Sequence, residues 1–223
     1  MRRVVCGWRP RANVSSAYLG RVSVESESVK PGYHHGDLRA TLVLSALEIL
    51  ESGEAFSLRA VARRAGVSTA APYRHFPDRE ALESAMAVHG LHELMRDLAE
   101  DTPLPQSTAE VAELAVGYVR FALRRPALFR LMFGQPCDDQ DDERVQAAGT
   151  LHDYLEAVMA TVFPQSDPVT LAAAGWSLAH GLAFLHLDGK LNAADQGVVD
   201  ERVRSIFTTV FPPITSPRIE NLS

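Results

Sequence analysis

Two groups of side chains in this sequence have types and spacings suited to chemistry. The first lies between residues 57 and 79: Ser57, Arg59, Arg63 and Arg64, then a Gly66-Val67-Ser68 turn, then Thr69, Ala70, Ala71, Tyr73, Arg74, His75 and Arg79. Arginines and hydroxyls bind phosphate oxygens, and small alanines allow close approach, including to thymine methyls. The second group is aromatic with polar tips: Tyr118, Phe121, Phe129, Met132, Phe133, Tyr154, Trp176, His180 and Phe184. Aromatic residues at helical spacing also build plain cores, but a few polar tips in an otherwise apolar set are the chemistry of a small-molecule pocket. His89 and His92 offer further hydrogen bonds or a response to pH.

Other chemistries find no residues. GxSxG, GxGxxG, the P-loop and HExxH are absent, and no Glu-x-x-His pair offers a di-iron site. His34-His35 lacks further ligands at suitable spacing, and Cys6 and Cys137 lie outside any CxxC pattern. The sequence therefore assigns no catalytic residue, metal or cofactor, and the cysteines fit a reducing cytoplasm. An enzyme, or a helical small-molecule binding protein without DNA binding, is the competing reading.

The elements that position the first group are legible from apolar spacing. Leu38, Leu42, Ala46, Ile49 and Leu50 make one helix that stops at Gly53; Ser57 caps a second through Ala65, with Leu58, Val61 and Ala62 inward. Ser68 is expected to cap a third, short α-helix through about His75, ended by Phe76-Pro77. Pro72 would stand at its fourth position and delete only the first i→i−4 bond, so a helix is expected to survive there. Two helices joined by a tight Gly turn form the geometry that sets the second against a major groove.

Six more helices are expected after Asp78. They begin at Asp78, at the Ser107-Thr108-Ala109-Glu110 capping box, at Pro126, after the acidic loop of residues 138–143, at Asp167-Pro168 and at Asp195. No period-2 pattern suggests a strand, so the expected class is all-α with about nine helices. Residues 1–31 read as a flexible basic arm, 32–78 as a helix-turn-helix unit and 79–223 as a larger helical domain. The start lacks an uninterrupted apolar run for a secretion signal, and residues 169–187 read as a buried helix rather than a membrane span.

Length and charge agree with this division. The 223 residues, 46% hydrophobic, suffice for one or two domains with a real core. A net charge of −6 argues against a polyanion partner only until the charges are located. Residues 1–79 hold 12 Lys+Arg against 7 Asp+Glu, and residues 80–223 hold 10 against 21. The chain is a basic head on an acidic body, and the part of the arm before Lys30, with five arginines against two glutamates, supplies three of the head's five surplus charges.

The stretch Phe56-Ser57-Leu58-Arg59-Ala60-Val61-Ala62-Arg63-Arg64-Ala65-Gly66-Val67-Ser68-Thr69-Ala70-Ala71-Pro72-Tyr73-Arg74-His75-Phe76-Pro77-Asp78-Arg79 resembles the DNA-binding signature of tetracycline-repressor (TetR) family regulators. Tyr118 to Leu123, Pro126 to Gly134, and Trp176 with His180-Gly181 resemble the subgroup with a WHG-type C-terminal domain. The resemblance implies a cytoplasmic homodimer that binds palindromic operator DNA and releases it when a small molecule enters the C-terminal domain. It also implies that Thr69 to Arg74 read the bases, that Ser57 and Ser68 bring backbone amides near phosphates, and that Arg79 stands where the family commonly has Lys. For the dimer, the small residues Ala172, Gly175, Ala179 and Ala183 are expected to meet Val199, Val203, Ile206, Phe207 and Val210 of the last helix in a seam between two copies.

Overall fold

Short acceptor side chains start nearly every helix, which is why the sequence marks their beginnings well. Asp37 Oδ1 accepts from the Ala40 amide (3.0 Å), Ser57 Oγ from Ala60 (3.1 Å), Asp78 Oδ1 from Ala81 (2.8 Å) and Asp195 Oδ1 from Val198 (3.2 Å). Ser107 accepts from Glu110, whose carboxylate reaches back to the Gln106 amide. Asp167 accepts from Thr170, with Pro168 at the first helical position.

The computed structural model describes residues 37–100, 102–134 and 143–213. Its elements are α1 (Leu38–Ser52), α2 (Leu58–Arg64), a single 3₁₀ turn (Pro72–Arg74), α3 (Arg79–Ala99), α4 (Thr108–Arg124), α5 (Pro126–Gly134), α6 (Glu143–Val162), α7 (Pro168–Leu187) and α8 (Gln196–Val210). The class is all-α, with eight α-helices and no strand among the described residues. The expected ninth helix is the 3₁₀ turn. The arm, His34-His35, both cysteines and most of the acidic loop lie outside the described residues.

The third helix differs from expectation because Pro72 removes its nucleating bond. Starting at Ser68, the first α-type bond would run from residue 72 to the Ser68 carbonyl, and proline has no N–H to give. Only a few residues remain before Phe76 turns inward, too few to offset a lost nucleus. The chain uses three-residue turns instead: Ala71 N–H to Ser68 O (2.9 Å), Arg74 to Ala71 (3.2 Å) and His75 to Pro72 (3.0 Å). Ala71, not Ser68, precedes the 3₁₀ turn, and no side chain caps it.

α1, α2 and the 3₁₀ turn form the head, and α3 joins it to the body. α3 packs on α1 at one side and on α4, α5 and α6 at the other. Buried apolar side chains form one continuous cluster from Leu42 to Phe211, so the boundary expected at 78/79 falls on the cap of a helix shared by both parts. At α3 a Cβ on Gly90 would stand 2.6 Å from Met132 Sδ and 3.0 Å from Leu128 Cδ1, so α5 lies directly against that glycine. α4 and α8 are tied by Asp200, which is nearly buried and accepts from Arg120 Nε (3.0 Å), Arg120 Nη2 and Gln196 Nε2 (2.8 Å).

α7, with a mean hydropathy of 1.3, is the one described helix long and apolar enough to cross a membrane. In this fold it packs against α4, α6 and α8.

Candidate nucleic-acid interface and effector site

The reading surface is built from the α2 terminus outward. Gly66, at φ +70°, closes α2 by donating to Arg63 O, while Val67 donates to Ala62 O. Only a residue free of a Cβ penalty adopts that left-handed backbone readily, so the turn depends on glycine. The chain then turns so that Pro72 and Phe76 point inward, Phe76 being 2% exposed. Tyr73, 52% exposed, points outward with Arg74 and His75.

Of the candidate contacts, Ser57, Arg59, Ser68, Thr69, Ala70, Tyr73, Arg74, His75 and Arg79 are exposed, and Ala71 is half-buried. Their charges are not equally available. Arg64 pairs with Glu54 (2.6 Å) and Glu48 (3.3 Å) inside the head. Arg79 pairs with Glu83 (2.6 Å) and lies over Phe56, its guanidinium carbon 4.9 Å from the ring centre. Arg59, Arg63 and Arg74 have no ion pair among the described residues and are free to meet phosphate.

The second group divides in two. Tyr118, Phe129, Phe133, Trp176, His180 and Phe184 come together around the His180 ring, whose centre is 4.8 Å from Phe133, 4.9 Å from Phe184 and 5.5 Å from both Phe129 and Trp176. A polar chain runs through them: Trp176 Nε1 donates to Tyr118 Oη (3.2 Å), which is 2.9 Å from His180 Nδ1. Burial pushes the Tyr118 hydroxyl far above its ordinary range and His180 below its own. Tyr154 turns away to donate to Leu98 O at the end of α3 (3.3 Å), and Met132 faces Gly90 of the same helix. Phe121 is fully buried, with the Arg124 guanidinium over its ring.

His152 was not among the expected residues. It stands edge-on to Trp176, ring centres 5.1 Å apart, and both of its nitrogens are enclosed without a hydrogen-bond partner. Its sequence signal, a polar residue one position after Leu151, is the same as that of a histidine facing water. His89 and His92 lie elsewhere, in a groove of about 590 Å³ between α1, α3 and α6, which the ion pair Arg39–Glu143 (3.3 Å) borders.

The expected dimer residues require correction. Ala172, Gly175, Ala179, Ala183, Val199, Val203 and Phe207 are buried within the single chain; Ile206 is half-buried and only Val210, 54% exposed, is open. α6 and α8 of the same chain pack on α7, and Met159 lies against Gly175. The stripe of small residues is therefore used for packing within one chain.

Comparisons with known proteins agree with this architecture. Residues 51–86 match the model described as bacterial regulatory proteins, tetR family, and residues 111–210 match that of the tetracyclin repressor-like C-terminal domain. A solved protein of unknown function from Rhodococcus sp. RHA1 is 31% identical, with a TM-score of 0.67 over 81% of this chain and 98% of its own. A TetR/AcrR family regulator from Thermobifida fusca (18% identity, TM-score 0.59, 78% and 98% coverage) and a TetR regulator from Rhodococcus sp. RHA1 (20%, 0.54, 79% and 96%) share the fold. No curated protein matches the chain. A helix-turn-helix head with an outward tyrosine and free arginines, two family models and these neighbours converge: the chain belongs to the TetR family of DNA-binding transcriptional regulators.

Proposed function

We propose that the protein is a homodimeric repressor that binds a palindromic operator and leaves it when a small molecule enters the aromatic cluster. The observation that carries this reading is the position of α5. One face of α5 gives Phe129 and Phe133 to the cluster, and the other presses Leu128 and Met132 onto Gly90 of α3. α3 begins at Arg79, directly after the reading turn. A ligand that displaces Phe129 or Phe133 thus shifts a packed helix pair whose far end sets the angle of the head. Such a ligand releases DNA only to the extent that it binds the displaced arrangement more tightly.

The second copy finds its surface on the outer sides of the last two helices. Leu171, Ala174, Leu178, Gly181 and Leu185 recur at alternating spacings of three and four along α7, and Leu185 is 44% exposed. Val198 and Val210, both more than half exposed, lie on α8. Such a stripe supports antiparallel packing of two helix pairs.

Selection of bound fragments from random duplex DNA tests the reading and is expected to recover a palindrome. Recovery of no sequence, or of a site without two-fold symmetry, overturns it.

A further inference from the structure

The aromatic cluster also specifies what it would hold, and this step rests on the effector reading above. Its protons can be followed one by one. Trp176 Nε1–H can only donate, and it donates to Tyr118 Oη. Burial keeps the Tyr118 hydroxyl protonated, and the acceptor within its reach is His180 Nδ1, at 2.9 Å. His180 is then neutral with its proton on Nε2, in agreement with the downward push from burial. The chain Trp176 to Tyr118 to His180 ends on an N–H donor that has no partner among the described residues.

On the Trp176 ring, His152 adds a second unfilled imidazole: one N–H donor and one bare nitrogen, both enclosed. Enclosed polar atoms without partners are destabilising, and they are retained where something else supplies the missing bonds. The surroundings restrict what that is. The charged groups around the cluster are engaged or acidic: Arg130 lies over the Phe184 ring but is paired with Asp188, buried Arg144 donates to the Met132 carbonyl of α5 (2.7 Å), and exposed Asp153 and half-buried Glu156 follow His152 on α6. An anionic ligand would find both arginines already engaged and carboxylates beside His152, so its desolvation would go uncompensated. Phe129, Phe133, Phe184 and Trp176 favour a flat ring by offset and edge contacts.

We infer that the cluster binds an uncharged aromatic molecule bearing a hydroxyl group, seated at Trp176, the hydroxyl donating to the bare nitrogen of His152 and accepting from His180 Nε2–H. A phenol meets both requirements at one oxygen. A hydrocarbon of the same shape leaves the histidines unpartnered, and a carboxylate of the same shape enters as an unpaired ion.

The test uses full-length protein carrying Trp8→Phe, which leaves Trp176 as the sole tryptophan and so as a reporter inside the site. Its emission is followed on titration with p-cresol, p-xylene and 4-methylbenzoate. The expected result is half-saturation by p-cresol at least about tenfold below either of the others, the size of one hydrogen bond to an otherwise unpartnered group. In His152→Phe, or in His152→Leu if the first fails to fold, the p-cresol advantage over p-xylene falls below about threefold while p-xylene still binds. Equal binding of 4-methylbenzoate, no response of Trp176 to p-cresol, or an advantage that survives the substitution of His152 overturns the inference. A parallel measurement of labelled operator fragments separates it from the effector reading. If p-cresol binds at Trp176 and leaves the DNA complex intact, the ligand chemistry stands and the effector reading falls. If a cell-derived compound releases DNA while p-cresol never reaches Trp176, the opposite holds.

Discussion

Tyr73 and Arg74 project from a turn whose other side is anchored by buried Pro72 and Phe76, so truncating them removes contacts without removing packing. Tyr73→Ala and Arg74→Ala are each expected to weaken operator binding by roughly 1–3 kcal/mol with little change in melting temperature; intact binding in a fluorescence-anisotropy titration would show that another segment reads the DNA. A second prediction concerns His89, His152, His180 and His186, all of which burial pushes below the ordinary histidine range. Glu93 opposes the shift at His89, Asp153 opposes it at His152, and Arg202 deepens it at His186. Because the folded values are lowered, the unfolded chain binds more protons between those values and about 6.5. Stability is therefore complete above about pH 6.5 and is lost as pH falls through that window. The urea midpoint is expected to drop from pH 7 to pH 5 with unchanged slope, and less steeply in His152→Phe; a flat profile would show that the histidines protonate freely in the fold. At this scale the sequence was legible wherever chemistry is local, as at Ser57, Asp78 and Gly66. It misled at Ser68, where deleting one bond mattered because it was the nucleating one, and it passed over His152, whose role exists only through Trp176 on another helix.

Helix starts and apolar stripes were readable because caps and periodicity belong to single segments. Which side of α7 meets which neighbour was not, since a helix apolar on all sides names no inner face. The small residues Ala172, Gly175, Ala179 and Ala183 signal close approach correctly, but their neighbours are helices of the same chain. Glycines make this packing testable. At Gly90 a methyl group would meet Met132 Sδ, Met132 Cγ and Leu128 Cδ1, all within 3.0 Å, atoms of two side chains held between helices. At Gly175 it would crowd only the far end of the Met159 side chain, Cε at 2.9 Å, with Phe211 Cζ at an ordinary 3.8 Å. Alanine gains about 1 kcal/mol of helix propensity at either site, whereas overpacking costs about 1–3 kcal/mol where neighbours cannot yield. Gly90→Ala is therefore expected to lower the melting temperature and disturb DNA affinity, because α3 carries the head. Gly175→Ala should be neutral or slightly stabilising in the same thermal scan, and a loss at Gly175 equal to that at Gly90 would place the tight contact at α6–α7 rather than at α3–α5.

The division of charge that makes the whole molecule acidic leaves few cations for DNA. Arg64 and Arg79 are engaged with glutamates, so Arg59, Arg63 and Arg74 are the head arginines without such a partner among the described residues. Each phosphate neutralised contributes roughly −0.9 to the slope of log K against log salt, so three contacts per head and two heads give a slope of about −5. In the proposed dimer the factor of two depends on the outer face of α7 and α8, where Leu185→Arg combined with Val198→Arg is expected to give a monomer in sedimentation while leaving the melting profile cooperative. That monomer should show about half the slope and a much weaker affinity, since the second head no longer adds its binding at high local concentration. Residues 1–31 hold six further cations against two glutamates. A dimer that draws on the folded head alone keeps a slope near −5 when they are deleted, and a slope steeper than about −9 that relaxes on deletion would assign the arm a direct part in holding DNA.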